Sequence, residues 1–260
     1  MEQHKGAGEG GLALVTGAAG GIGSEICRRL AARGLTVAVA DLDPQRARTV
    51  AEGLGTAHVS LAFDVADEAS VDASFERLES DHGPVRVVVC AAGLLQFGPG
   101  GERPLIQSTE LDLWNRSMAV NATGVFLCAR AYVRHRVAAP VAHGRFITFA
   151  SVAAQLGGYR SSASYIAAKS AVLGFTKALA REVAPMGITV NSVSPGLIDT
   201  DMLRSTVASS GAMEAAAAAI PLGRIGTVAD VASAVDYLVS EEAGYITGSV
   251  MDVNGGYRMQ

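Results

Sequence analysis

Tyr165 and Lys169 stand four residues apart in a stretch with helical character, so a phenol and an ammonium share one helix face. Lysine is scarce, three in 260 residues, which makes the pairing informative. A free phenol, with a pKa of about 10, is a poor base near neutrality, but a neighbouring ammonium and any further cation at the site favour the phenolate. Such a pair can move a proton at a carbinol or carbonyl oxygen while a hydride moves at the attached carbon.

A second constellation lies near the start. Thr16-Gly17-Ala18-Ala19-Gly20-Gly21-Ile22-Gly23 follows a short apolar strand pattern and opens a helical one. Glycines at a strand-to-helix turn permit the tight bend and let backbone N–H groups approach a pyrophosphate at the positive helix end. Asp41 ends the next strand pattern, eighteen residues past Gly23, where a carboxylate would accept hydrogen bonds from an adenosine ribose. It also begins Asp-Leu-Asp-Pro, a possible helix start, so a capping role stands beside the ribose one.

The elements that position these residues alternate along the chain. Strands are expected at Leu12–Thr16, Thr36–Ala40, His58–Phe63, Val85–Cys90, Arg145–Ala150, Ile188–Val193 and Ser249–Asp252. Helices are expected at about Ile22–Arg33, Pro44–Gly53, Glu68–Asp81, Ser117–Val137, Ser162–Ala184 and Val228–Ser240. Repeated βα units of this kind imply an α/β fold: one Rossmann-type domain over residues 11–260, with a doubly wound, seven-stranded parallel sheet and helices on both faces. Residues 1–10 read as a disordered tail. Leu94–Thr109 and Ile198–Leu222 escape the alternation and follow strands, which makes them candidate walls of a cleft, with a substrate lid at about 198–222.

Thr16, Gly17, Gly21 and Gly23, together with Tyr165 and Lys169, resemble the signatures of the short-chain dehydrogenase/reductase family, and the resemblance covers nearly the whole chain after the first ten residues. It implies a catalytic set of Asn121, Ser151, Tyr165 and Lys169. Ser151 would hold the substrate oxygen beside Tyr165, and Asn121 would kink its helix and anchor a water leading protons to Lys169. For the cofactor it implies contacts at Gly17, Gly21, Ile22, Gly23 and Asp41, with Asp64 and Val65 at the adenine. Cys90-Ala91-Ala92-Gly93 stands where the family usually has Asn-Asn-Ala-Gly, so Ala92 and Gly93 keep the close backbone passage while two amides are lost. Tyr165 and Lys169 would also touch the nicotinamide half. So would Pro195, Gly196, Ile198 and Thr200, the last two gripping the carboxamide. By the same resemblance Leu94, Phe97, Ala153, Leu156, Tyr159, Met202 and Leu203 would line the substrate pocket, and the last strand and the Ser162–Ala184 helix would build a homotetramer.

A net charge of −4 and a pI near 5.7 argue against general affinity for nucleic acid or anionic membrane. No export signal or membrane span is read, so the expected location is the cytoplasm. Cys27, Cys90 and Cys128 look like core residues, and the histidines show no metal-ligand spacing. The favoured expectation is NAD(H)-dependent interconversion of a small secondary alcohol and a ketone. One alternative is reduction of a 3-oxoacyl thioester, in which Arg134 and Arg136 could meet an acidic carrier or simply be solvated. Another, of a different class, is a non-catalytic dinucleotide-binding sensor, against which the presence of both Tyr165 and Lys169 counts.

Overall fold

The computed structural model describes residues 10–97, 102–158, 161–205 and 210–259. The expected tail, Gly10 apart, lies outside them. Seven strands, β1 (Leu12–Thr16), β2 (Thr36–Asp41), β3 (Val59–Ala62), β4 (Val85–Cys90), β5 (Gly144–Phe149), β6 (Ile188–Pro195) and β7 (Val250–Val253), form one parallel sheet in the order β3-β2-β1-β4-β5-β6-β7. The order reverses between β1 and β4. At such a reversal the helices leave on opposite faces, and a crevice opens beyond the C-terminal strand ends.

The central strands are buried along their length because helices cover both faces. On one face Leu14, Val88, Phe146 and Val190 pack under α3 (Glu68–His82), α5 (Gly124–Ala138) and α7 (Ala163–Val183), which contribute Phe75, Leu127 and Val172. On the other, Val15, Val37, Ile147 and Val193 meet Ile26 and Leu30 of α1 (Gly21–Ala32), Ala47 of α2 (Pro44–Leu54) and Val235 and Leu238 of α10 (Val228–Val239). Each fully buried aliphatic or aromatic side chain contributes roughly 1.5–3 kcal/mol by leaving water. Cys27, Cys90 and Cys128 are free and buried in these layers.

The expected helix over Ser117–Val137 begins earlier. It starts as α4 (Leu111–Met118), passes through a π-type turn at Ala119–Thr123 and continues as α5. The stretch expected to be irregular after Ile198 holds α8 (Asp201–Arg204) and α9 (Ser210–Ala218), and α6 (Val152–Leu156) follows β5. The alanine run in α9 forms helix on intrinsic propensity, without the core-facing stripe by which helices are recognised. No helix among the described residues is long and apolar enough to cross a membrane.

Candidate active site

Ser151 stands one residue past β5, where its side chain caps α6 by accepting a hydrogen bond from the Ala153 amide at 3.2 Å. Ser162 caps α7 by accepting from the Tyr165 amide at 3.2 Å, which fixes the phenol in the first turn. Lys169 follows one turn later. It is 4% exposed, its Nζ donates to the Phe149 carbonyl at 2.8 Å, and it lies 5.9 Å from the centre of the Tyr165 ring. Asn121 is fully buried in the π-type turn, where its Nδ2 donates to Leu94 O at 2.8 Å and Ser117 O at 3.0 Å while its Oδ1 accepts from Leu94 N at 3.0 Å. A Cβ on Gly93 would sit 3.4 Å from Asn121 Oδ1 and 3.7 Å from Lys169 Nζ, so Gly93, Asn121 and Lys169 converge on one point.

Burial raises the Tyr165 phenol above its ordinary value, and the Ser151 hydroxyl, hydrogen-bonded to it, pulls it partly back. The same burial pushes Lys169 down to about 8. The phenolate expected from the sequence needs a cationic nicotinamide beside it; in the unliganded chain burial alone disfavours the charged form. A hydrogen bond with the Cys128 thiol, together with burial, pushes Cys90 well above the usual thiol range, so it remains a neutral core group where the family usually carries an amide.

Ser151, Tyr165 and Lys169 open onto a cleft of about 480 Å³ whose walls are mostly apolar. Ile22, Gly93, Pro195, Gly196, Ile198 and Thr200 also line it. At its edge α1 begins on Gly20, which offers no side-chain cap, so the first-turn N–H groups face the ligand side uncapped. Gly17 adopts φ +63°, and a Cβ there would come within 2.6 Å of Ala92 Cα; one on Gly23 would meet Gly17 O at 2.3 Å. These two glycines are therefore required by packing, whereas Gly21 has only ordinary neighbours, the nearest being Val228 Cγ1 at 3.4 Å.

Asp43, not Asp41, caps α2, accepting from Gln45 N at 3.0 Å and Arg46 N at 3.1 Å. Asp41 instead accepts from Ala19 N in the glycine loop at 3.0 Å and from Asp43 N at 3.2 Å, while Arg46 Nη2 donates to Ala19 O at 2.7 Å. An uncapped helix start, a carboxylate tied to the glycine loop and a cleft lined from both sides of the reversal of strand order fit a dinucleotide. Asp64 accepts from Ala66 N at 2.9 Å, and Val65 packs so closely on Gly124 that a Cβ there would come within 2.9 Å of Val65 Cγ2. Thr200 uses its hydroxyl to cap α8, accepting from Leu203 N at 3.3 Å.

Of the expected pocket residues, Ala153, Leu156, Met202 and Leu203 line the cleft. Leu95 takes the place expected for Leu94, whose backbone is held by Asn121, and Phe97 is not among the lining residues. Tyr159 lies outside the described residues. The sequence reading missed Ala215, Ala216 and Ala219 of the α9 region and, near the C-terminus, Tyr257, none of which carries a motif. Arg136 is not available to a carrier: it is 1% exposed and paired with Glu79 under α5, while the exposed Arg134 stands 3.6 Å from Asp72.

The chain matches, over residues 17–258, a family model described as enoyl-(acyl carrier protein) reductase. It is 39% identical over 251 residues to the 3-oxoacyl-[acyl-carrier-protein] reductase FabG of Escherichia coli (strain K12), covering 96% of this chain and 98% of that one. To nodulation protein G of Azospirillum brasilense it is 36% identical over 256 residues, with the same two coverages. Among solved structures, a short-chain type dehydrogenase/reductase from Mycobacterium marinum superposes with a TM-score of 0.87 at 32% identity, covering 96% of each chain. The structure of gox2181 gives 0.88 at 28% identity, covering 95% of each. The chain belongs to the short-chain dehydrogenase/reductase family, oxidoreductases that bind a nicotinamide dinucleotide.

Proposed function

We propose that this protein reduces 3-oxoacyl thioesters to 3-hydroxyacyl thioesters. This ordering reverses the expectation of a generic small alcohol or ketone, and the names of relatives 35–39% identical over 95% or more of the chain support the change. The observation that carries it is the buried phenol of Tyr165, hydrogen-bonded by Ser151, in the wall of a mostly apolar cleft. A phenol kept neutral is an acid, suited to giving a proton to a carbonyl oxygen that is becoming an alkoxide.

When bound, a nicotinamide dinucleotide supplies the hydride. Ser151 positions the substrate oxygen by hydrogen bonding, and Tyr165 donates the proton to it. Lys169 carries the positive charge beside the phenol and holds the ribose of the nicotinamide half. Asn121 ties the loop after β4 to the helix beside Lys169. Ile198 and Thr200 would hold the carboxamide end and Asp64 and Val65 the adenine end, and the segment at about 198–222, of which residues 206–209 lie outside the described ones, would act as a lid. Asp41 faces the adenosine ribose, which favours NADH over NADPH, since a 2′ phosphate would meet a carboxylate there. We assign the protein to the cytoplasm as a homotetramer; exposed Leu111 and Phe126 on α4 and α5 supply apolar surface for association. Light scattering checks the assembly.

The deciding experiment compares reduction of acetoacetyl-CoA, crotonyl-CoA and a panel of simple ketones, each with NADH and with NADPH. The expected result is fastest turnover of acetoacetyl-CoA. Turnover of crotonyl-CoA alone would make this an enoyl reductase, and preference for simple ketones would restore the generic reading. No turnover of any of them would favour a sensor.

A further inference from the structure

The C-terminal segment after β7 returns to the cleft. Asn254 organises the return: its Oδ1 accepts from Gly256 N at 2.9 Å, its carbonyl from Tyr257 N at 3.1 Å, and its Nδ2 donates to Arg258 O at 3.1 Å. Gly255 and Gly256, at φ +63° and +85°, turn the chain in a conformation that side chains rarely adopt. Arg258 then pairs with Asp252 of β7 at 3.0 Å. The segment is thus fixed to the rigid sheet.

It is also fixed to the stretch that follows α9. Leu222 N donates to Gly255 O at 3.1 Å, and the turn is packed so tightly that a Cβ on Gly255 would come within 2.6 Å of Ile220 Cγ2 and one on Gly256 within 3.2 Å of Pro221. Between these two anchors, Tyr257 lines the cleft together with Ala215, Ala216, Ala219 and Leu203. Alanine leaves space, and a tyrosine ring held by its own backbone can fill it. Apart from the Tyr257 hydroxyl the wall so formed is apolar, better suited to an alkyl chain than to the amides of a thioester arm, which need several polar partners.

We infer that Tyr257 is a specificity-determining residue, the end wall that sets how long an acyl chain the cleft accepts. Part of this inference, the identity of the acyl substrate, rests on the function proposed above; the role of the wall does not. A ring removed from such a wall extends the pocket by several methylenes, and a single methylene in an apolar pocket discriminates by about tenfold or more. Tyr257→Phe keeps the ring and so keeps the wall.

The test measures kcat and KM for 3-oxoacyl N-acetylcysteamine thioesters of increasing chain length, and for the matching ethyl 3-oxoalkanoates, with wild type, Tyr257→Ala and Tyr257→Phe. In Tyr257→Ala the ratio of kcat/KM for the longest over the shortest substrate should rise by about tenfold or more, chiefly through KM, while Tyr257→Phe keeps the wild-type ratio. A ratio unchanged in Tyr257→Ala overturns the inference. So does an equal loss of kcat at every length, which is what a merely structural anchor would give. If wild type reduces the oxo esters and none of the thioesters, the thioester reading fails and the ratio is read on the esters. Inactivity of wild type towards both series overturns both.

Discussion

Asn121 and Leu94 hold one another by two hydrogen bonds, Leu94 N to Asn121 Oδ1 at 3.0 Å and Asn121 Nδ2 to Leu94 O at 2.8 Å. The pair joins the loop after β4 to the π-type turn, one residue from Gly93 and beside Lys169. Asn121→Ala would take these partners from the half-buried amide and carbonyl of Leu94, at a cost of at most roughly 1–3 kcal/mol for each. The expected outcome is a lower Tm together with a lower kcat, and thermal unfolding beside steady-state kinetics checks it. An unchanged Tm would show that the clamp carries no stability.

Tyr165→Phe removes the proton and keeps the ring. A loss of about 10² or more in kcat is expected, with dinucleotide binding retained, on the usual scale of acid–base catalysis. Fluorescence titration with NADH separates the two effects. A variant with over half the wild-type kcat would take Tyr165 out of the reaction.

Because burial holds Lys169 at about 8, its charge is lost within the working range of pH. For reduction, kcat/KM should fall as pH rises through about 8, since this ratio reports the free protein. Linkage gives the matching sign for stability. A lysine whose folded pKa lies below its ordinary value binds fewer protons folded than unfolded, so its burial destabilises the fold fully below pH 8 and the cost fades as pH climbs towards 10.5. The Tm of Lys169→Met relative to wild type should therefore be higher at pH 7 than at pH 10. A difference independent of pH would mean that the ammonium is not desolvated.

Asp41 should make kcat/KM favour NADH over NADPH by about 30-fold or more, the factor that about 2 kcal/mol represents. Asp41→Ala is expected to narrow the ratio mainly by improving NADPH. Arg46, whose guanidinium already reaches Ala19 O, is the cation placed to meet a 2′ phosphate, so Arg46→Ala in the Asp41→Ala background should reverse the gain. Equal use of both cofactors by wild type would remove Asp41 from the ribose.

The sheet was legible because strands such as β4 and β6, covered on both faces, are written as near-continuous apolar runs. Tyr165, Lys169 and the glycine turn were legible because their spacing is itself the mechanism. What stayed hidden depended on contacts between distant segments. Arg136 reads as surface on a helix but is buried against Glu79, 57 residues earlier. Only the coordinates separate the capping carboxylate, Asp43, from Asp41 two residues before it. Tyr257 reaches the cleft through two glycines and an asparagine whose turn geometry no periodicity announces.

The strand order also bears on how the protein is made. Nothing can flank β1 on its second side until β4, ending at Cys90, has left the ribosome. From then on each new strand joins the edge made just before it, β5 on β4, β6 on β5 and β7 on β6. Translation at about 5–20 residues per second gives each strand seconds to settle before the next emerges, so the sheet can grow outward in the order of synthesis. The dinucleotide half is assembled first. The turn that carries Tyr257, which follows the last strand, is added only at the end, after every residue that the cofactor would touch.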